Sequence, residues 1–499
     1  KLINKMYKRF FLLGMIWLLI SCNQKNTKEA NIHYSVTPIF EDKKLNVSFF
    51  YKANDKGELV LVFENQSMGE SNLMNCMKDL KVTPKPKNIE IIKDSSLVKI
   101  YGKPNKKYNI SYNVVKDYKS PPINRYRYRP IVDSTYFHVL GTKLFMYPLH
   151  LFPNQESKIP ISIDWNFNKE SAIFHSSFGL DKKQQLFISQ DELHNSFFVG
   201  GDFRRYKFSY KEKPIYFVTR GNWKSIQDQE VLKILKNTIK NQHDFWKDTI
   251  QTEFSVSLIP TYEKNTYSIG GSALTDSFIS FGSNNIGTTI RRMTWLYNHE
   301  LMHKWIARTI KIEKDVVHYW FSEGFTDYYA YKLMLKNNLL STEEFINVIN
   351  NKVLIPHYKD KVANTPNSEL TFQKYWSNYG TYSKLPYRRG LLYAFLLDNQ
   401  IKKQSKFSKS LDNLMFDLYH KAKNDSGFRV NETVFLDYLS KYLEKETASV
   451  EFEKYILNGE HINFNNQLMS GLILEVLEGV PSIKVLKESS RKIVNQLSL

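Results

Sequence analysis

The sequence predicts a multidomain α+β protein, and three observations carry that prediction. At 499 residues the chain exceeds what one ordinary core holds. Strand-like alternation dominates its first half. Helical periodicity dominates after Trp295. A hydrophobic content of 42% and an aromatic content of 14% suffice for several packed interiors and exclude a disordered chain.

At the amino terminus, Lys5, Lys8 and Arg9 precede an apolar run over residues 10–20. That run is too short to span a bilayer as a mature helix. It ends in Leu19-Ile20-Ser21-Cys22, which resembles the lipobox of bacterial lipoproteins. The resemblance implies that residues 1–22 are a signal peptide and that Cys22 is acylated after cleavage. The alternative is an ordinary secretory signal with a chance cysteine. Asn23 and Gln24 follow, with no aspartate to resemble an inner-membrane retention signal. The expectation is a lipid-anchored protein of the bacterial cell envelope, on the outer membrane facing the periplasm. Residues 23–31 are polar and read as a tether. The other cysteine, Cys76, then lacks an intrachain partner. Disulfide staples and a cysteine metal site are excluded, and Cys76 reads as a small buried hydrophobe.

Residues 32–190 read as a β-rich domain, a sandwich or saddle. Leu45, Val47 and Phe49 alternate with Asn46 and Ser48, and residues 59–63, 97–101, 108–115 and 159–164 repeat the theme. The Arg/Tyr-rich stretch up to Pro130 reads as a solvated connection, with ligand binding as the alternative. Residues 191–400 mix strands, at 215–218 and 254–258, with helices, at 231–246, 295–309, 323–336 and 388–401. Residues 401–499 read as helical. The formal charge is +20, from 70 Lys+Arg against 50 Asp+Glu. The lysines are dispersed, with no basic stripe and no nucleic-acid motif, so nucleic acid is excluded as a partner.

The chemistry concentrates at His299-Glu300-Leu301-Met302-His303, an HExxH motif. On a helix, four residues advance about 400° and rise about 6 Å, so both imidazoles project from one face. They can then hold a single zinc ion, and Glu300 beside them can take a proton from the attacking water. Trp295, Met302 and Ile306 share the histidine stripe, while Leu301 and Trp305 add apolar surface opposite. A helix buried nearly all round is expected.

Zinc requires a third protein ligand, with one position left open. Trp320-Phe321-Ser322-Glu323-Gly324-Phe325-Thr326-Asp327-Tyr328-Tyr329 supplies it, and here the sequence resembles the gluzincin metallopeptidases. The wording is most similar to the glycyl aminopeptidase family, which is related to aminopeptidase N. The resemblance implies a thermolysin-like catalytic domain, one zinc ion on His299, His303 and Glu323, and peptides or proteins as substrates. It also implies that Asp327 accepts a hydrogen bond from a ligand imidazole. Further on, Pro386-Tyr387-Arg388-Arg389-Gly390 is similar to the family's Y-x-K-G segment. Tyr387 takes the place of the oxyanion-stabilising tyrosine, and Arg389 that of the lysine. Few residues follow position 465, so the family's frequent PDZ domain is not expected.

One motif departs from the pattern. The aminopeptidase N group carries a glycine-rich edge strand whose backbone pairs with substrate and whose glutamate binds the free α-amine. The matching stretch here is Gly270-Gly271-Ser272-Ala273, with Ala273 at the glutamate position. Asp276 is a possible substitute and reads more simply as a loop aspartate. Three readings follow: an aminopeptidase-like enzyme, an endopeptidase or atypical exopeptidase, and a non-catalytic envelope lipoprotein with a peptidase fold.

Overall fold

The computed structural model describes residues 30–166, 172–250, 253–313, 316–377 and 380–486. The expected signal peptide over residues 1–22 and the expected lipidation site Cys22 lie outside the described residues. No helix among the described residues is long and apolar enough to cross a membrane.

The amino-terminal region is built on three sheets. The largest has six strands, in the spatial order Lys183–Ile188, Ile159–Trp165, Ile32–Ile39, Lys44–Lys52, Lys107–Val115 and Met77–Thr83. The alternation that predicts these strands is the alternation of burial. Leu45, Val47 and Phe49 are 0–1% exposed, and Val47 stands opposite both Val36 and Tyr112. Buried phenols keep partners in this core. Tyr34 donates to the Met146 carbonyl at 2.9 Å, and Tyr112 donates to that of Leu144 at 2.7 Å. Cys76 is buried, and burial raises its thiol to about 12.

A five-stranded sheet follows, in the order Arg204–Tyr210, Lys213–Thr219, Phe254–Thr261, Ser277–Ser283 and Ile269–Leu274. Its three middle strands are parallel, and the last is an antiparallel edge. Helices α1 (Asp228–Trp246) and α2 (Ile290–Met302) pack against each other in the core beneath this sheet. Met293, Leu296, Tyr297, Leu301 and Met302 of α2 are all 0–2% exposed, so the helix is enclosed as its sequence predicts. A separate apolar cluster joins Tyr136, Phe197 and Val199 to Val218, Ile259 and Phe281, tying the amino-terminal region to this sheet.

The structure corrects three expectations. The helix predicted over 295–309 ends at Met302; the N–H groups of Lys304 and Trp305 bond three residues back, to Leu301 and Met302, and Ala307 then takes a φ of +93°. The helix predicted from 323 is preceded by a π-helical turn, Trp320–Phe325, and continues as α3 (Thr326–Lys336). The carboxy-terminal region also holds a hairpin, Leu472–Leu477 with Val480–Val485, which the helical reading missed. The Asn350 side chain locks it in place, donating to the Ile483 carbonyl at 2.7 Å and accepting from its N–H at 2.8 Å. Helices α4 (Leu385–Gln404) and α5 (Leu411–Asn424) complete the core around α3.

Candidate active site

The last turns of α2 and the π-helical turn bring three donors together. The Nε2 atoms of His299 and His303 are 3.1 Å apart. The Oε2 atom of Glu323 stands 3.4 Å from the first and 3.6 Å from the second. Ligand atoms about 2.0–2.1 Å from a tetrahedral zinc would be separated by about 3.3 Å, so this triangle has the right size.

The donor set also has the right electronics. His299 Nδ1 is 2.9 Å from Asp327 Oδ1, a carboxylate that can only accept, so the proton sits on Nδ1 and Nε2 offers its lone pair. The Trp295 indole donates to the same Asp327 oxygen at 3.2 Å and fixes it. His303 Nδ1 is 3.3 Å from the Ile306 carbonyl, which sets the same tautomer. Two lone pairs and a carboxylate oxygen then face one another at close range. Burial opposes an imidazolium at His299, yet Asp327 and then Glu323 outweigh it and push it up to about 10. Burial likewise opposes charge on Glu323, yet the two histidines hold it well below the usual carboxylate range. The site calls for positive charge. A proton satisfies one of these atoms; a divalent cation satisfies all three at once. His299, His303 and Glu323 are the only such group of potential ligands among the described residues.

Asp327 touches the first imidazole and is not one of the three donors. Replacing it by alanine is expected to lower zinc affinity roughly 10–100-fold while sparing the three ligands. Competition against a chelator of known affinity measures this. An unchanged affinity would refute the orienting role.

Glu300 is 7% exposed. Burial raises its carboxyl above the usual range, against the opposing pull of His299 and His303. That direction suits a group that must both take and return a proton. Gly271 explains how the carboxylate fits beside the edge strand. A Cβ there would come within 2.9 Å of the Glu300 side chain and 2.7 Å of the Ile279 carbonyl oxygen.

Tyr387 lies in the first turn of α4, and its ring lies against that of His299, with centroids 6.1 Å apart and planes 20° apart. Its position depends on a close helix crossing. A Cβ on Gly324 would stand 2.4 Å from Gly390 Cα, and one on Gly390 would stand 1.8 Å from the Trp320 carbonyl oxygen. Only glycine at both positions lets these two backbones touch, and the contact sets Tyr387 beside the turn that carries Glu323. Arg389 points the other way. It is 1% exposed and donates to the carbonyls of Ile456, Ala363 and Thr365, so it braces the chain around Tyr455 and has no part in the site.

These groups line one cleft of about 440 Å3, walled by the edge strand from Ile269 to Ala273 on one side and by Tyr319, Tyr375 and Tyr387 on the other. Asp276 does not line it. That residue faces a neighbouring cleft and pairs with Lys304 at 3.7 Å.

Sequence reasoning missed several residues here. The Arg/Tyr-rich stretch is not a solvated connection. Arg127 and Tyr128 line the cleft, and the Tyr128 hydroxyl donates to the Gly271 carbonyl at 2.5 Å. Arg129 is buried between Asp117 and Glu70. The alternation of arginine and tyrosine was the available signal. Arg308 donates to the Ala273 carbonyl at 2.8 Å, and no motif marks it.

The sequence matches no family model and no curated protein. The fold is similar to solved structures. An aminopeptidase N family protein from Idiomarina loihiensis superposes with a TM-score of 0.73 at 16% identity, covering 89% of this chain and 79% of that one. A mutant M1 zinc metallopeptidase from Deinococcus radiodurans, bound to a Tyr-Ser-Ala substrate, superposes with a TM-score of 0.50 at 14% identity, covering 87% and 94%. The chain therefore has an aminopeptidase N-like multidomain fold, as the sequence predicts.

Proposed function

We propose that this protein is a zinc-dependent peptidase. One observation carries the reading: the His299, His303 and Glu323 donors form a tetrahedral-sized triangle with the buried carboxyl of Glu300 beside it. Zinc held there would polarise the scissile carbonyl and acidify the attacking water. Glu300 takes the water proton and later delivers it to the leaving amine. Asp327, fixed by Trp295, keeps His299 in its ligating tautomer. The Tyr387 hydroxyl donates to the oxygen on which negative charge develops.

The substrate class is extended peptide, since one wall of the cleft is a sheet edge. An aminopeptidase-like activity is the first expectation from the fold. The side chain of Ala273 cannot bind an ammonium ion, which supports the alternative of an endopeptidase or atypical exopeptidase. Attachment to an envelope membrane through acylated Cys22 is part of the proposal and rests on the lipobox-like sequence.

The test joins metal analysis to cleavage of a mixed peptide library, with cut positions read by mass spectrometry. One zinc per chain and peptide-bond cleavage are expected. A protein that binds no zinc, or that cleaves nothing after zinc addition, would overturn the reading. Cuts restricted to the first bond of free amino termini would establish the aminopeptidase form. Cuts inside blocked peptides would establish the other.

A further inference from the structure

The charge in the cleft is one-sided. Glu300 and Glu323 are the only carboxylates lining it among the described residues, and the zinc site and its base use both. Three cations line it: Arg127, Arg308 and Lys384.

Arg308 is the most exacting of these. Its guanidinium has five donors in a fixed fork. One guanidinium N–H donates to the Ala273 carbonyl, and no other side-chain hydrogen bond or ion pair engages it among the described residues. Asp191 and Asp276 act on it from the neighbouring cleft, which Arg308 also lines, but neither forms an ion pair with it. Asp276 pairs with Lys304, and Asp191 accepts from Asn195 at 2.8 Å. Arg308 is half-buried, with that single hydrogen bond on its side chain. Such a group is costly unless something compensates it. Its anchor holds it at the end of the edge strand, beside Ala273, whose methyl group leaves the approach open. At the other end of the strand Arg127 adds a second cation beside Gly270, held by the Asn124 carbonyl and side chain at 3.1 and 2.9 Å. Tyr128 and Arg308 donate to the carbonyls of Gly271 and Ala273, each of which keeps a second lone pair for a substrate strand, so backbone pairing and charge can act together in recognition.

We propose that Arg308 is a specificity-determining residue that binds a substrate carboxylate, so that the cleft selects peptides carrying an acidic group next to the scissile bond. This inference rests on the peptidase reading. The carboxylate has two sources, an Asp or Glu side chain or the terminal α-carboxylate of a short peptide. The overall +20 charge draws either toward the protein.

The experiment uses the zinc-loaded protein and fluorogenic peptides in matched sets. One pair differs only in Glu against Gln beside the cut and is amidated at its end. A third peptide carries Gln with a free terminal carboxylate. A charge-assisted hydrogen bond predicts that kcat/KM for the acidic peptide exceeds that for its neutral partner by roughly 10- to 100-fold, shrinking as salt is raised. The amidated Glu peptide winning identifies a side-chain carboxylate. The free-acid peptide winning identifies the chain terminus. Arg308→Gln should bring the ratio close to one, and Arg308→Lys should restore part of it. Equal rates for all three peptides in the wild type would overturn the inference and leave the peptidase reading standing. A second measurement separates the two: binding of the same peptides to zinc-loaded Glu300→Gln protein by fluorescence anisotropy. Tighter binding of the acidic peptides without any wild-type hydrolysis would support the anion site and overturn the peptidase reading. Equal binding would overturn the anion site.

Discussion

Replacing Glu300 by glutamine should leave zinc bound at one ion per chain and lower kcat/KM by roughly 10²–10⁴-fold. Glutamine is nearly isosteric, so the fit against Gly271 survives, but an amide cannot accept the water proton. The three ligand atoms belong to other residues, so metal content is the internal control. Glu300→Asp keeps the acid and draws it back by one methylene. It should retain a fraction of the activity, since proton transfer demands hydrogen-bond reach. Hydrolysis assays beside elemental analysis decide the matter. Full activity in the glutamine variant would remove Glu300 from the chemistry.

Replacing Asp398 by alanine should destabilise the helical core by about 3–5 kcal/mol. Asp398 is fully buried in α4 and accepts from Lys332 at 3.2 Å, from Lys402 at 2.8 Å, from the Tyr328 hydroxyl at 2.5 Å and from the Leu411 backbone at 2.9 Å. Lys332 also reaches Asp412 at 2.7 Å, and Tyr329 donates to Asp412 at 2.9 Å. Two cations and two anions from α3, α4 and α5 thus neutralise one another away from water. Burial opposes ionisation of Asp398, but Lys332 and Lys402 hold it well below the usual carboxylate range. Removing it takes a counter-charge from two buried ammonium groups at once, leaving Lys332 with Asp412 alone and Lys402 without its Asp398 partner. Urea unfolding, followed by the fluorescence of Trp246, Trp305 and Trp320 in the same core, should show a large fall in midpoint. A midpoint equal to the wild type's would show that the network carries no net stabilisation.

Much of the site is legible in the sequence because it is written locally. The spacing of His299 and His303 fixes their common helix face, and Glu323 and Asp327 share the next helical turn. The glycines at 270 and 271 mark a strand pressed against a side chain. What escapes the sequence depends on partners far along the chain. Nothing in the sequence marks Lys332, Asp398, Lys402 and Asp412 as a network before α3, α4 and α5 are packed together. Arg389 reads as a site cation until its carbonyl acceptors around Ala363 and Ile456 are seen. The end of α2 is invisible because no glycine, proline or asparagine closely follows Met302; the positive φ beyond it falls on Ala307, a residue with no preference for it. The role of residues 123–130 is hidden for the opposite reason. Arginine and tyrosine suit a wet loop and a ligand cleft equally, and only placement separates the two.

The buried charge network has a second consequence, which concerns aim. Asp398 follows Tyr387 on α4 by about three helical turns, which brings both side chains to within about 20° of the same face. Any rotation of the helix about its axis therefore swings the two by the same angle. The network clamps one end of this rod to its neighbours, and the Gly324–Gly390 contact leaves no side chain between the backbones to act as a bearing. The tyrosine is thereby sighted like an instrument whose index mark lies three turns away, in a fully buried part of the molecule.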